Sequence, residues 1–161
     1  MAEAAAGPAQ RTIKDLLSYR IHRLANALSR GAALRYRQQF DVSLMEWRII
    51  ALLGGFAPLT LKALAQQSGL DKSLASRAVA GLVARRLVLR QAGRADAREV
   101  ALRLTPTGRR LYQGLMQAAL ERDAAFNACL TPQEQDVLDR AIRKLEAEAR
   151  RQSALVAEEE A

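Results

Sequence analysis

At Gly69-Leu70-Asp71 a helix stop and a helix start lie side by side, and this junction constrains the chain more than any other stretch. Glycine takes the left-handed backbone conformation that ends a helix without the steric penalty of a β-carbon. The Asp71 carboxylate can accept the free N–H groups that open the next helix. Leu61, Leu64, Ala65, Leu70, Leu74, Ala75, Ala78, Val79 and Leu82 recur at helical spacing on either side of the junction, so two short helices face one another there. Small side chains at Ala65, Ala75 and Ala78 allow the two to cross closely. Lys72, Ser73, Ser76 and Arg77 fall on the opposite face of the second helix. The pattern predicts a helix-turn-helix whose second helix turns polar and basic groups outward, as a reader of the DNA major groove must.

The residues that follow predict a hairpin. Leu87-Val88-Leu89 is a short apolar run, and Val100, Leu102 and Leu104 alternate with Glu99, Ala101 and Arg103 at the period of a half-buried strand. Between them the segment 90–98 holds Arg90, Arg94, Asp96 and Arg98 and is too polar for a core, so it is expected to form the tip. A helix-turn-helix followed by a basic two-stranded hairpin is a winged helix.

With these residues in view the chain resembles the MarR family of transcriptional regulators. The resemblance rests on GLDKSLASRAVAGLVARRLVLR (69–90), on the wing signature Asp96-Ala97-Arg98, and on the strand-to-helix junction Leu102-Arg103-Leu104-Thr105-Pro106-Thr107-Gly108. It implies a mainly α single domain spanning 1–161: a winged helix-turn-helix over about 43–105 with its wing at about 90–98, flanked by dimerisation helices at about 10–38 and 106–157.

Charge agrees with a polyanionic partner. The net charge is +8, and the sequence pI is about 10.5. Between Asp71 and Arg110 ten basic residues meet three acids, leaving +7 there and only +1 for the remainder. Arginine outnumbers lysine 21 to 4; its flat fork suits phosphate and guanine, although a GC-rich genome produces the same bias. No apolar run approaches the ~20 residues needed to cross a bilayer, the first ten residues lack a signal-peptide core, and one cysteine cannot form an internal disulfide. A cytoplasmic protein without a membrane partner is expected.

The flanks read as long helices. From Thr12 to about Gln38, Ile13, Leu17, Ile21, Leu24 and Leu28 step by three or four, with Gly31 marking a bend. Ser43 and Glu46 form a capping-box pattern that opens a helix over Leu44–Leu53, with Trp47, Ile50, Ala51 and Leu53 facing the helix-turn-helix and Gly54-Gly55 ending it. Thr105-Pro106 starts another helix through Leu111, Leu115, Met116, Ala119 and Phe126, and Thr131-Pro132-Gln133-Glu134 starts the last one. These helices carry more apolar surface than one winged helix can cover. A second copy is the simplest cover, and the resemblance implies a homodimer. Twofold symmetry would favour inverted-repeat operators in double-stranded DNA, with half-sites ~34–36 Å apart.

Arg77 is the candidate for a bidentate guanine contact, while Lys72, Ser73 and Ser76 are candidates for phosphates. By resemblance, Arg98 enters the minor groove and Asp96 holds it in place, with Arg94 beside them on the wing; a hairpin salt bridge is the structural alternative. The family also implies a small anionic, often aromatic, effector between dimer helices and winged helix. Tyr19, His22, Arg23, Trp47 and Arg48 supply rings and cations for it, against the plainer roles of core tryptophan, surface arginine and structural histidine. Cys129 sits among Phe126, Ala128 and Leu130, which predicts an inert core thiol. Nothing in the sequence motivates an enzyme, a metal site or a cofactor. The expected protein is a homodimeric repressor of a small operon, released by an aromatic carboxylate or aromatic acyl-CoA. The alternatives are a redox-responsive regulator using Cys129 and a basic helical protein–protein adaptor.

Overall fold

The computed structural model describes residues 11–92 and 100–159. The order is a 3-10 turn (Ile13–Asp15), α1 (Leu17–Phe40), α2 (Leu44–Phe56), β1 (Leu59–Thr60), α3 (Leu61–Ser68), α4 (Lys72–Ala84), β2 (Val88–Ala92), β3 (Val100–Leu104), α5 (Pro106–Asn127) and α6 (Pro132–Glu159). Packing divides the chain into two compact units, with the division after Met116.

In the first unit, α1 to α4 and the sheet share one core. Tyr36, Ile49, Ile50, Leu53, Leu64, Leu82 and Leu102 are its largest fully buried side chains. Ala75, Val79 and Leu82 are the buried positions of α4, and Leu64 and Ala65 those of α3, so the expected inner faces do pack together. Leu61, Leu70, Leu74 and Ala78, expected with them, are only half-buried. The sheet has three antiparallel strands in the order β1-β3-β2. The extra strand is β1, whose Leu59 pairs with Leu102 and Thr60 with Ala101.

Several local expectations need correction. The first long helix does not begin at Thr12. The Asp15 carboxylate accepts from the Thr12 backbone N–H at 2.8 Å and its hydroxyl at 2.9 Å, closing a tight turn. Leu16 is extended (φ −72°, ψ 134°), and α1 starts after it. The helix then runs through Gly31 to Phe40 and stops at Asp41, which is left-handed with φ 50°. Gly54-Gly55 does not end α2, which reaches Phe56. Gly54 serves packing instead, since a β-carbon there would lie 2.5 Å from the Tyr112 ring. Arg90, Gln91 and Ala92 belong to β2, paired with Leu102, Ala101 and Val100, so the wing's strand extends further toward its tip than the apolar run suggested.

In the second unit, Thr131 caps α6 as expected. Its hydroxyl accepts from the Glu134 N–H at 3.3 Å, and Glu134 accepts from the Thr131 backbone N–H at 2.8 Å. The hydrogen bonds that the Thr131 N–H and hydroxyl donate to it hold the Glu134 carboxyl below its ordinary value. Cys129 is exposed rather than part of a core, and its thiol donates to the Phe126 carbonyl at 2.9 Å. Its apolar neighbours in sequence do not enclose it, because Phe126 is itself 46% exposed.

Candidate nucleic-acid interface

The α3–α4 pair is assembled from short-range hydrogen bonds. The Thr60 hydroxyl accepts from the Ala63 N–H at 3.2 Å and starts α3. Gly69, at φ 67°, ends it, and the Leu70 N–H returns to the Ala65 carbonyl at 3.1 Å. The Asp71 carboxylate then accepts from the Leu74 N–H at 2.8 Å, opening α4. With Ala75, Val79 and Leu82 turned inward, Lys72, Ser73 and Arg77 are left exposed on the outer face. Ser76 differs from them: it is half-buried and lies on the flank that meets the sheet.

Beyond α4 the chain reverses through Arg86, a non-glycine residue at φ 56°. Its N–H bonds the Val83 carbonyl and the Leu87 N–H the Leu82 carbonyl, each at 2.9 Å, which is the paired pattern of a left-handed helix stop. Thr105 locks this turn from the far side of the hairpin. Its hydroxyl donates to the Arg86 carbonyl at 2.7 Å and accepts from the Gly108 N–H at 3.0 Å, while its own N–H bonds the Leu87 carbonyl at 3.0 Å. One threonine thus ties the turn after α4 to the start of α5 and to Leu87, just before the wing's first strand.

Between α4 and the hairpin lies a cleft of about 230 Å³ lined by Leu61, Ser76, Val79, Arg90, Val100 and Leu102. Arg90 lines this cleft from β2 rather than lying in the hairpin tip, because it pairs with Leu102 in the ladder. Arg94, Asp96 and Arg98 fall outside the described residues.

Arg85 leaves the set of basic residues available to an outside partner. Its guanidinium donates to Glu46 Oε1 and to the Asp41 carbonyl, each at 3.0 Å, and lies 3.9 Å from the Asp41 carboxylate. Glu46 also accepts from the Ser43 N–H and hydroxyl at 2.8 Å. Burial opposes ionisation of Glu46, but the Ser43 hydrogen bonds and the Arg85 charge outweigh it and hold the carboxyl below its ordinary value.

The five effector candidates divide into two groups. Tyr19 is half-buried and His22 and Arg23 are exposed on the first half of α1, with His22 Nε2 2.8 Å from the Asn26 side-chain nitrogen. Arg23 lines a shallow basic groove with Lys14, Arg20 and Arg30. Trp47 instead lies against buried Tyr36, ring centroids 5.3 Å apart, and shares a groove with exposed Arg48, Ala51, Leu52, Gln67 and Ser68. Tyr19 and Tyr36 are seventeen residues apart on α1, about 25 Å at 1.5 Å per residue. Within one chain the two groups do not converge. Among the described residues no cluster of three His, Cys, Asp or Glu could hold a metal ion, and no helix is long and apolar enough to cross a membrane.

Comparison with known proteins finds similarity to one family. The model of the MarR family matches residues 40–99. A comparison with curated protein sequences found no match. Among solved structures, a MarR/EmrR family transcriptional regulator from Acinetobacter sp. ADP1 is 28% identical, covering 88% of this chain and 99% of that one with a TM-score of 0.80. The S. aureus MepR–DNA complex is similar in fold at 16% identity, covering 86% and 99% with a TM-score of 0.76. So is the PcaV transcriptional regulator of Streptomyces coelicolor in complex with its natural ligand, at 23% identity, covering 88% and 99% with a TM-score of 0.70. Residues 40–99 thus match the MarR family model, and over most of its length the chain is similar in fold to a MarR/EmrR family transcriptional regulator.

Proposed function

We propose that the protein acts as a homodimeric, sequence-specific repressor that binds an inverted-repeat operator and is released by a small anionic aromatic metabolite. The observation that carries the DNA-binding part is α4 itself, a capped helix with Lys72, Ser73 and Arg77 exposed on the face opposite its buried Ala75, Val79 and Leu82. The MepR structure with DNA and the PcaV structure with its natural ligand favour the same two activities here. Arg77 reads a guanine edge, Lys72, Ser73 and Ser76 meet phosphates, and Arg98, oriented by Asp96 and flanked by Arg94, enters the minor groove. Exposed Leu17, Ile21, Leu24 and Leu28 on α1, and Leu138, Ile142 and Leu145 on α6, supply the apolar surface for the dimer.

An effector releases DNA only through its different affinity for the binding and non-binding arrangements of the two heads. Trp47 offers a ring face and Arg48 a cation to an aromatic carboxylate, and Tyr19, His22 and Arg23 join them if the partner subunit's α1 brings them near. Binding of the promoter fragment beside its own gene, with aromatic acids and their CoA thioesters added in turn, tests the reading. Specific binding that weakens steeply with salt and is reversed by one such compound is the expected result. Salt-independent affinity would point instead to a protein–protein adaptor. Release by oxidant that disappears in Cys129→Ser would favour redox control, for which the exposure of Cys129 is the specific observation.

A further inference from the structure

A winged helix on DNA straddles a sugar-phosphate ridge, with its recognition helix in the major groove on one side and its wing toward the minor groove on the other. The part of the protein that faces the ridge is the cleft between α4 and the hairpin. Ser76 of α4 and Arg90 of β2 are the polar and charged side chains that line it, and among the described residues no acid does.

The register explains why Arg90 sits there. It pairs directly with Leu102 across the β2–β3 ladder, so the two side chains leave the same face of the sheet. Leu102 is buried, as is Val79 beneath the cleft, whereas Arg90 is exposed. A long aliphatic stem can cover such an apolar floor while its charged head stays in solvent. Arg90 on β2 and Ser76 on α4 thus line the cleft from its two walls. At about 230 Å³ the cleft is smaller than the ~300–1,000 Å³ of small-molecule pockets, while a single phosphate group needs far less room.

The geometry points to Arg90, with Ser76 opposite it, as a clamp on the one DNA phosphate that separates the major groove read by α4 from the minor groove beside it. The guanidinium fork grips two phosphate oxygens and the serine hydroxyl donates to the same group. This sets the register of both reading elements on the duplex without contributing to base choice. The inference rests on the proposed DNA binding.

Arg90→Met separates the clamp from mere packing, because methionine keeps an apolar stem over Leu102 and Val79 and removes only the charge. Wild type and variant are titrated with operator and scrambled duplexes across a salt series, with thermal melting as the check on folding. The clamp predicts an unchanged melting temperature, the same fold-loss of affinity on both duplexes, and a salt slope shallower by about 0.9. A single methylphosphonate at the straddled position should weaken the wild type and leave Arg90→Met unaffected. If the wild type binds with a steep salt slope and Arg90→Met matches it, the clamp is refuted while DNA binding stands. If the wild type binds no duplex in a salt-dependent way, the DNA-binding reading itself fails.

Discussion

The main-chain carbonyl of Leu87 occupies the place where a β-carbon on residue 108 would stand. Leu87 opens the wing and Gly108 lies in the first turn of α5, so the hairpin and the helix touch there through bare backbone. The same carbonyl accepts from the Thr105 N–H, which leaves it little freedom to retreat. Gly108→Ala should therefore lower stability by about 1–3 kcal/mol, read as a fall in melting temperature of about 2–4 °C per kcal/mol for a chain of this size. A variant that melts with the wild type would show that the junction can open without cost.

Two other glycines should respond in opposite directions. Gly69 has φ 67°, so Gly69→Ala strains the turn between α3 and α4 and should cost about 1 kcal/mol. Gly81 lies inside α4, and an added β-carbon there meets nothing within 4 Å. Gly81→Ala should stabilise the protein by about 0.5–1 kcal/mol, chiefly by restricting the unfolded chain. Denaturant titrations of the two variants against wild type measure both effects.

Acid should weaken the protein in part through Glu46. The folded carboxyl titrates below its ordinary value of 4.5. Its contribution is therefore complete above that value and is lost as the pH falls through the lower folded one. Glu46→Gln keeps an acceptor for Ser43 but cannot ionise, so its melting temperature should fall less steeply on acidification than that of the wild type. Ser43→Ala removes the cap hydroxyl and should cost about 0.5–2 kcal/mol at neutral pH. Identical acid limbs for Glu46→Gln and wild type would remove Glu46 from the account.

What the sequence disclosed was mostly local. Asp71, Ser43 with Glu46, and Thr131 with Glu134 act on backbone groups three residues away, so spacing alone reveals them. The two-residue strand at Leu59-Thr60 is different, because it exists only through β3, some forty residues later. Arg85 likewise counted as one more cation for DNA until the fold set it against Glu46, thirty-nine positions earlier. Gly54 reads as a helix breaker unless one knows that Tyr112 packs on it. The proposed α4 contacts were legible because one face of an amphipathic helix implies the other. Arg90 was not, since strand pairing rather than composition carries it into the cleft.

On α4 the proposed division of labour gives distinct signatures. Arg77→Ala should narrow the gap between operator and mismatched duplexes by about 1–3 kcal/mol. Lys72→Ala should weaken all duplexes alike and reduce the salt slope by about one. Arg98→Ala should matter most on sites with narrow A/T-rich minor grooves. Competition titrations with matched and mutated operators distinguish the three. If Arg77→Ala and Arg98→Ala both leave operator binding intact, the reading surface lies elsewhere.

The dimer leads to a coupled prediction. Leu24 is 59% exposed on α1 and Ile142 45% exposed on α6, each within a stripe of apolar residues spaced three or four apart. Such contiguous apolar faces are characteristic of surfaces that pack on a partner. A carboxylate placed in either stripe would be buried without a counter-charge in the assembled dimer, a cost large enough to shift association toward monomer. Leu24→Glu and Ile142→Glu should thus sediment as single chains at concentrations where the wild type sediments as a pair. Because each α4 remains intact, both variants should keep weak, salt-dependent affinity for DNA. They should lose the advantage of an inverted repeat over a half-site, since that advantage comes from two heads engaged at once. Sedimentation paired with half-site and full-site titrations measures both consequences. A variant that stays paired, or a monomer that still prefers the full site, would place the association surface outside these stripes.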